Sequence, residues 1–112
     1  MKIQDHKKGA ITVIEVEGRL DSVTSNELEK EILSLLQSGE SNLLIDFAGL
    51  DYISSAGLRV LLMAAKKAKT AGGQVVLANL VNNVKEVFDI AGFNNIFPIF
   101  QSQDEALAAF KG

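Results

Sequence analysis

The chain has 112 residues and a formal net charge of −3; 47% of its residues are hydrophobic and 22% are charged. This length and composition predict one globular domain over residues 1–112, and the negative charge gives no reason to expect a nucleic-acid or anionic-membrane partner. With no cysteine and one histidine, the chain cannot form disulfides, use thiolate chemistry or build a multi-histidine metal centre.

The first part of the chain predicts a β-hairpin. Residues 1–6 form a candidate strand, and residues 7–9 (Lys-Lys-Gly) are typical of a turn. Residues 10–17 are largely apolar and rich in β-branched side chains. We therefore expect a second strand there, which pairs back on the first and ends at Gly18.

A first helix is predicted after the hairpin. Thr24 and Glu27 have the spacing of a capping box, in which two side chains satisfy the free backbone N–H groups of a helix start. Val23 and Leu28 have the spacing of a hydrophobic staple across the same start. The helix is expected over residues 25–38, stopped by Gly39, with an inward stripe of Leu28, Ile32, Leu35 and Leu36.

From residue 43 onward the pattern predicts alternating strands and helices. Residues 43–47 are apolar except for Asp46, as expected of a central parallel strand covered on both faces. Pro98 lacks a backbone N–H, so we expect its strand at an edge of the sheet. The remaining predicted elements are a helix over 56–70, a strand over 74–78, a helix over 84–91 closed by Gly92, the edge strand over 96–100, and a short helix whose capping box is Ser102 and Glu105.

Catalytic interpretations of this sequence lack the partner groups that they need. A serine nucleophile requires an adjacent base, and the one imidazole, His6, lies in a predicted strand near the N-terminus. No GxxxxGKS/T phosphate-binding loop is present. Asp46 as a phosphate acceptor would need a metal-binding carboxylate cluster, for which Asp21 and Asp51 are the candidates, so we interpret Asp46 as a polar organiser of its strand end. We expect a protein that is not an enzyme and that holds no metal.

Residues 52–59, Tyr-Ile-Ser-Ser-Ala-Gly-Leu-Arg, connect the predicted central strand to the second helix. One interpretation is that Ser54 or Ser55 is an ordinary N-cap. The other is that Ser55 is the substrate of a kinase, because the dipole and free N–H groups of a helix start accommodate the roughly two negative charges of a phosphate. Phosphorylation would then change the sign of the surface presented to a partner. The carboxylates expected to oppose this charge are Asp21, Asp46 and Asp51.

Several motifs in a fixed order carry a resemblance to a known family. They are Gly18-Arg19-Leu20-Asp21, Leu44-Ile45-Asp46-Phe47, Leu50, Ile53, Ser55, Gly57, Leu58, Gly72-Gly73, Val84 to Phe88 and Ala91-Gly92-Phe93. Through them, residues 3–110 resemble the STAS domain family, specifically the bacterial anti-sigma factor antagonists. The resemblance implies an α/β fold with a mixed β-sheet of four to five strands and about four helices packed mainly on one face.

The resemblance also implies a partner switch. An unphosphorylated antagonist of this family binds an anti-sigma factor that is a serine kinase; the kinase then phosphorylates the antagonist and releases it, and a PP2C-type phosphatase resets it. ATP and Mg²⁺ belong to the kinase, so we expect no cofactor in this chain. The implied acceptor is Ser55, with Ser54 as the second candidate, because Ser54 replaces the aspartate of the family's usual D-S-x-G pattern. The implied partner-binding residues are Asp21, Asp51, Tyr52, Ile53, Ser54, Ala56, Gly57, Leu58 and Arg59.

An alternative function remains open within the same family. Some members are not phosphorylated and serve as interaction subunits of lipid ABC-type membrane transport complexes, in which Ser55 would be only a cap. No apolar run approaches the roughly 18 residues of a membrane helix, and the N-terminus lacks a signal-peptide core. We therefore expect a cytoplasmic monomer that does not insert into a membrane.

Overall fold

An antiparallel hairpin leads into alternating helices and strands in the computed structural model of the protein, which describes residues 1–110. The strands are β1 (Lys2–Lys8), β2 (Ile11–Leu20), β3 (Asn42–Ile53), β4 (Gln74–Ala78) and β5 (Ile99–Phe100). The helices are α1 (Ser25–Gln37), α2 (Ser55–Thr70), α3 (Asn82–Ala91) and α4 (Gln103–Ala108), with a 3₁₀ turn at Phe93–Asn95. None of the helices described is long and apolar enough to cross a membrane.

One mixed sheet contains the five strands of residues 1–110, in the order β1-β2-β3-β4-β5. β1 runs antiparallel to β2, and β2 to β5 run parallel to one another. β3 lies in the middle, and its segment Leu43–Phe47 is buried on both faces of the sheet, as its apolar composition predicts. The predicted α/β class and mixed sheet are confirmed.

The sheet carries two unequal layers of helix. Strand residues of one face, such as Leu43, Ile45 and Phe47, pack with α1, α2 and α3 in the larger core. Residues of the opposite face, such as Leu44 and Val76, pack with α4 in a smaller core. Three helices on one face and one on the other agree with the expectation of helices mainly on one face.

The first three strands extend further than the sequence predicts. β1 continues to Lys8, so the turn falls at Gly9 and Ala10 rather than at Lys7 to Gly9. β2 continues through Gly18 to Leu20, and β3 continues to Ile53. Two register shifts in the β2–β3 pairing let the ladder continue to the buried pair Leu20 and Ile53. The predicted ends at residues 17 and 47 are therefore wrong.

The start of α1 also differs from its prediction. The Thr24 side chain does not cap the helix; its hydroxyl bonds the Arg19 carbonyl instead, with an O···O distance of 2.6 Å. Val23 is 71% exposed, so the predicted staple with Leu28 does not form. The helix ends at Gln37, one residue before the predicted end. Gly39 follows in the left-handed region at φ 90°, as expected of a helix stop.

The C-terminal elements follow the prediction with shorter spans. β5 is an edge strand of two residues, and the Pro98 carbonyl before it accepts a hydrogen bond from the Leu77 N–H at 2.9 Å. At the start of α4, Ser102 Oγ accepts the Glu105 N–H at 3.1 Å, and the Glu105 carboxylate accepts the Gln101 N–H at 3.2 Å. The reciprocal cap predicted from sequence is thus present, with the return bond made to the residue before the N-cap.

Candidate functional site

The two adjacent serines at the start of α2 have different environments. Ser54 is the N-cap, with an extended backbone, and its Oγ accepts the Gly57 N–H at 3.3 Å. The Ser54 N–H donates to the Leu20 carbonyl at 2.9 Å, which ties the helix start to the end of β2. Ser55 is the first helical residue and is exposed. The structural capping role therefore belongs to Ser54, and Ser55 is left on the surface.

Gly57 lets α2 approach the sheet closely at this point. It is buried in the first turn of α2. A methyl group added at Gly57 would lie 2.9 Å from Ile53 Cγ1 and from two carbon atoms of the Leu20 side chain. Atoms of that kind are in contact at about 3.5–4.0 Å, so the position requires glycine. The spacing Ser55-x-Gly57 therefore has a structural reason that does not depend on phosphorylation.

Asp21 forms a tight polar turn beside the two serines. Its carboxylate accepts the Val23 N–H at 3.0 Å and the Thr24 N–H at 2.9 Å. Hydrogen bonds from the Thr24 backbone and hydroxyl, and from the Val23 backbone, lower the pKa of Asp21 below its ordinary value, and the nearby Arg19 charge acts in the same direction. Asp21 is thus held ionised next to the residue that bonds Ser54.

Arg19 and Tyr52 form a pair that the sequence did not reveal. They are directly opposite each other in the β2–β3 ladder, and the Arg19 guanidinium carbon lies 4.2 Å from the centre of the Tyr52 ring. This distance is that of a cation–π contact. Arg19 stands within the Gly18-Arg19-Leu20-Asp21 motif, but its partner depends on the shifted strand register, which no local pattern indicates.

Asn83 is a second residue that sequence reasoning missed. From the first turn of α3, its side-chain amide donates a hydrogen bond to the backbone carbonyl of Asp51. No function was predicted for this segment from its sequence, and Asn83 is distant from Asp51 along the chain. The contact fixes the last part of β3, just before the serines.

Burial divides the predicted partner-binding residues into two groups. Ile53 is 3% exposed and Gly57 is buried, so these two residues pack in the core. They support the exposed residues next to them in the chain. Partner contact by the others stays a prediction. Those at least partly exposed are Asp21, Asp51, Tyr52, Ser54, Ala56, Leu58 and Arg59.

A groove between α1 and α2 continues this surface. Its volume is about 380 Å³, and its walls include Ala56 and Arg59 from α2 and Ser22, Asn26 and Glu29 from the start of α1 and the residues before it. The exposed Val23 side chain lies next to Ser22 in the chain. We call Arg19, Asp21, Asp51, Tyr52, Ser54, Ser55, Ala56, Leu58, Arg59 and this groove the switch surface.

Asp46 lies away from the switch surface, which corrects the expectation that it opposes a charge on Ser55. It is 6% exposed on the α4 face of the sheet. Its carboxylate accepts the Ala48 N–H at 2.9 Å, the Asn79 amide at 3.1 Å and the Gln103 amide at 2.7 Å. Asp46 thus organises the polar contacts between β3, the end of β4 and α4. Its interpretation as a polar organiser holds, but within the long β3 rather than at a strand end.

The switch surface lacks the arrangement of a serine hydrolase. His6 pairs with Val13 in the sheet, whereas Ser55 follows Ile53, which pairs with Leu20. The separation along β2 corresponds to roughly 20 Å at 3.3 Å per residue, too far for His6 to act as a base. Among residues 1–110, no three His, Cys, Asp or Glu side chains are placed to hold a metal ion.

Comparisons with known proteins agree on one family. The model of the STAS domain matches residues 2–106. A protein of Bordetella bronchiseptica named as the anti-sigma factor antagonist BtrV is 40% identical over 111 residues, which are 99% of this chain and 96% of that protein. Both lengths are matched almost completely.

Solved structures show the same fold. A crystal structure of an anti-sigma factor antagonist from Mycobacterium paratuberculosis is similar with a TM-score of 0.85 at 25% identity, covering 99% of this chain and 94% of that chain. The phosphorylated form of the Bacillus cell fate determinant SpoIIAA is similar with a TM-score of 0.77 at 19% identity, covering 98% of this chain and 100% of that chain.

Proposed function

This chain belongs to the STAS domain family, within the anti-sigma factor antagonist type, and from that premise we propose that it is a binding protein whose partner choice is switched by phosphorylation of Ser55. The unphosphorylated protein binds an anti-sigma factor through the switch surface. That partner acts as a serine kinase with its own ATP and Mg²⁺. Its phosphorylation of Ser55 dissociates the complex. A PP2C-type phosphatase restores the binding form.

The observation that carries this proposal is the contrast between the two serines. A kinase must reach the acceptor hydroxyl, and Ser55 is exposed at the first position of α2. The Ser54 hydroxyl holds the Gly57 N–H, and modifying it would disturb the cap. Ser55 is therefore the acceptor that leaves the helix start intact, which supports it over Ser54.

The helix start can also tolerate the new charge. The first four N–H groups of a helix have no acceptor within it; here the Ser54 N–H bonds the Leu20 carbonyl and the Gly57 N–H bonds Ser54 Oγ. The Ser55 and Ala56 N–H groups remain for a phosphate, at the positive end of the helix dipole. The fold is thus compatible with both states, and a phosphorylated form exists for the fold relative SpoIIAA.

The effect on a partner follows from electrostatics. A phosphate carries about two negative charges at neutral pH, and it would join the carboxylates of Asp21 and Asp51 on one small surface. A partner that fits the uncharged Ser55 would have to desolvate the phosphate without a cation placed to meet it. Such burial costs several kcal/mol, enough to break a complex of ordinary affinity.

The proposal is tested by locating the phosphate. The purified protein is incubated with the anti-sigma partner and ATP, and its intact mass and phosphopeptides are measured. We expect one added phosphate at Ser55, none in Ser55→Ala, and normal incorporation in Ser54→Ala. Phosphate found at Ser54 instead of Ser55 would contradict the switch. So would the absence of any phosphate when the partner binds the protein tightly. The second of these results would favour an interaction subunit of a transport complex.

A further inference from the structure

A cavity whose lining shares no residue with the switch surface lies beyond the carboxyl ends of β4 and β5. Its volume is about 610 Å³, within the range of roughly 300–1,000 Å³ that is usual for small-molecule sites. Its apolar wall includes Leu80, Phe97, Ile99 and Phe100. None of the predicted partner-binding residues lines it.

The chain topology explains why a cavity opens at this place. After β4 the chain turns to α3, which packs on the larger core, whereas after β5 it turns to α4, which packs on the opposite face. β4 and β5 are parallel neighbours, so their two connections leave the same edge in opposite directions. Such divergence creates a crevice at the carboxyl ends of parallel strands, the place where ligands bind in open α/β sheets.

The polar part of the cavity lining consists of amide side chains and one cation. Among the described residues that line it, Lys85 of α3 is the one with a charged side chain. Three carboxylates accept hydrogen bonds from lining residues and keep their negative charges: Asp46 from the Asn79 amide at 3.1 Å, Asp89 from the Asn94 amide, and Glu105 from the Gln101 N–H at 3.2 Å. None of these three carboxylates lines the cavity, so the group that its described lining offers to an anion is the Lys85 ammonium, beside an apolar wall.

We propose that this cavity binds a small organic anion with an apolar body, such as an arylalkyl carboxylate. The carboxylate would meet Lys85, and the apolar body would cover the phenylalanine side chains and Leu80. A charge-assisted hydrogen bond favours the anion over a neutral analogue of the same shape. The site does not depend on Ser55 or on any protein partner.

Two probes of matched shape test the proposal. Amide chemical shifts of the ¹⁵N-labelled full chain are followed during titration with 3-phenylpropionate and, separately, with neutral 3-phenyl-1-propanol. We expect saturable shifts confined to residues 79–85 and 97–101, with a dissociation constant on the order of millimolar or tighter for the acid. The alcohol should bind about tenfold more weakly.

Variants separate the cavity from nonspecific binding. Lys85→Ala should weaken the binding of the acid about tenfold and leave the affinity for the alcohol unchanged. Lys30→Ala, which removes an exposed lysine on α1, should change neither. Ala48→Phe, which places a ring at the cavity wall, should weaken both probes. Absence of saturable shifts, shifts centred elsewhere, equal affinity for acid and alcohol, or equal effects of the two lysine variants would each overturn the proposal.

Discussion

Ser54 and Ser55 show how neighbouring residues of one type divide two tasks. Ser54 caps α2 through its hydroxyl and is anchored to β2 through its backbone. Ser55 makes the first helical position and is exposed. The sequence left either serine free to be the cap, because both stand at a plausible helix start. The hydrogen bond from the Ser54 N–H to the Leu20 carbonyl makes Ser54 the cap rather than Ser55. This is a tertiary contact, which the local sequence pattern does not predict.

Substitutions at the two serines should therefore differ in stability. We expect Ser54→Ala to lose about 1 kcal/mol of unfolding free energy, the usual cost of removing an N-cap. Ser55→Asp should change it by no more than about 1 kcal/mol, since the new charge lies at the favourable end of the helix dipole. Urea denaturation followed by circular dichroism measures both. A loss of several kcal/mol in Ser55→Asp would show that Ser55 is structurally required.

Asp21 should make stability depend on pH in a defined direction. Its pKa is lowered in the folded protein by the Thr24 and Val23 hydrogen bonds, so its charge stabilises the fold above the unfolded pKa of about 3.9. That contribution is lost as the pH falls through the lower, folded pKa. Asn at this position can still accept both N–H groups, and the substitution therefore removes the charge alone.

We expect Asp21→Asn to be less stable than the parent protein at pH 7 and the difference to shrink as the pH falls below about 4. Thermal unfolding of both proteins across the acid range measures it. Glu29→Gln, which removes a charge from α1, serves as the control. A difference between Asp21→Asn and the parent that stays constant down to the lowest pH would contradict the role given to the Asp21 charge.

At the scale of elements, the close contact of α2 with β2 and β3 depends on Gly57. Replacing glycine by alanine inside a helix normally stabilises it by up to about 1 kcal/mol. At Gly57 the added methyl group would overlap Ile53 and Leu20, which are both in the core. The packing effect and the helix propensity therefore act in opposite directions here, and the packing effect is larger.

We expect Gly57→Ala to destabilise the protein by about 1–3 kcal/mol, the usual cost of overpacking a core, and to shift the helix start that carries Ser55. The sign of the change in a denaturation experiment decides between packing and propensity. Gly57→Ala should cost less in a Leu20→Ala background than in the parent protein, because the smaller side chain makes room for the added methyl group. Stabilisation by Gly57→Ala alone would refute the close contact.

The element ends show where sequence reasoning stops. The helices over 56–70 and 84–91 and the strand over 74–78 were predicted almost correctly, because hydrophobic periodicity and glycine stops are local signals. The long β3 was not, since Ala48 to Ile53 contains glycine and aspartate and has no strand pattern. Its strand state comes from pairing with the bulged end of β2. The Arg19–Tyr52 contact depends on that same register and was unpredictable for the same reason.

At the scale of the whole molecule, the family motifs predicted the fold because they mark positions with fixed structural tasks. Gly57 marks the α2 contact, Asp46 marks the junction of β3, β4 and α4, and Asp21 marks the turn into α1. The crevice between the diverging β4 and β5 connections was not predicted, since it arises from which face each helix covers. The sequence left that question open.

The switch surface and the cavity beyond β4 lie at the carboxyl ends of different strands, β2 and β3 for the switch surface and β4 and β5 for the cavity. The switch surface is built on residues held in place from beneath by Leu20 and Ile53. A phosphate on Ser55 would change the charge of this surface without requiring a change of fold, because it would lie at an exposed helix start. We therefore expect phosphorylation to control the free energy of partner binding rather than the stability of the protein.

Isothermal titration calorimetry of the anti-sigma partner against four forms of the protein tests this most directly. We expect the unphosphorylated protein and Ser55→Ala to bind with similar affinity, and Ser55→Asp and the phosphorylated protein to bind at least tenfold more weakly, a loss of about 1.4 kcal/mol or more. Ser38→Asp adds the same charge beyond the far end of α1 and should bind like the parent. Equal affinity for all four forms would contradict the switch.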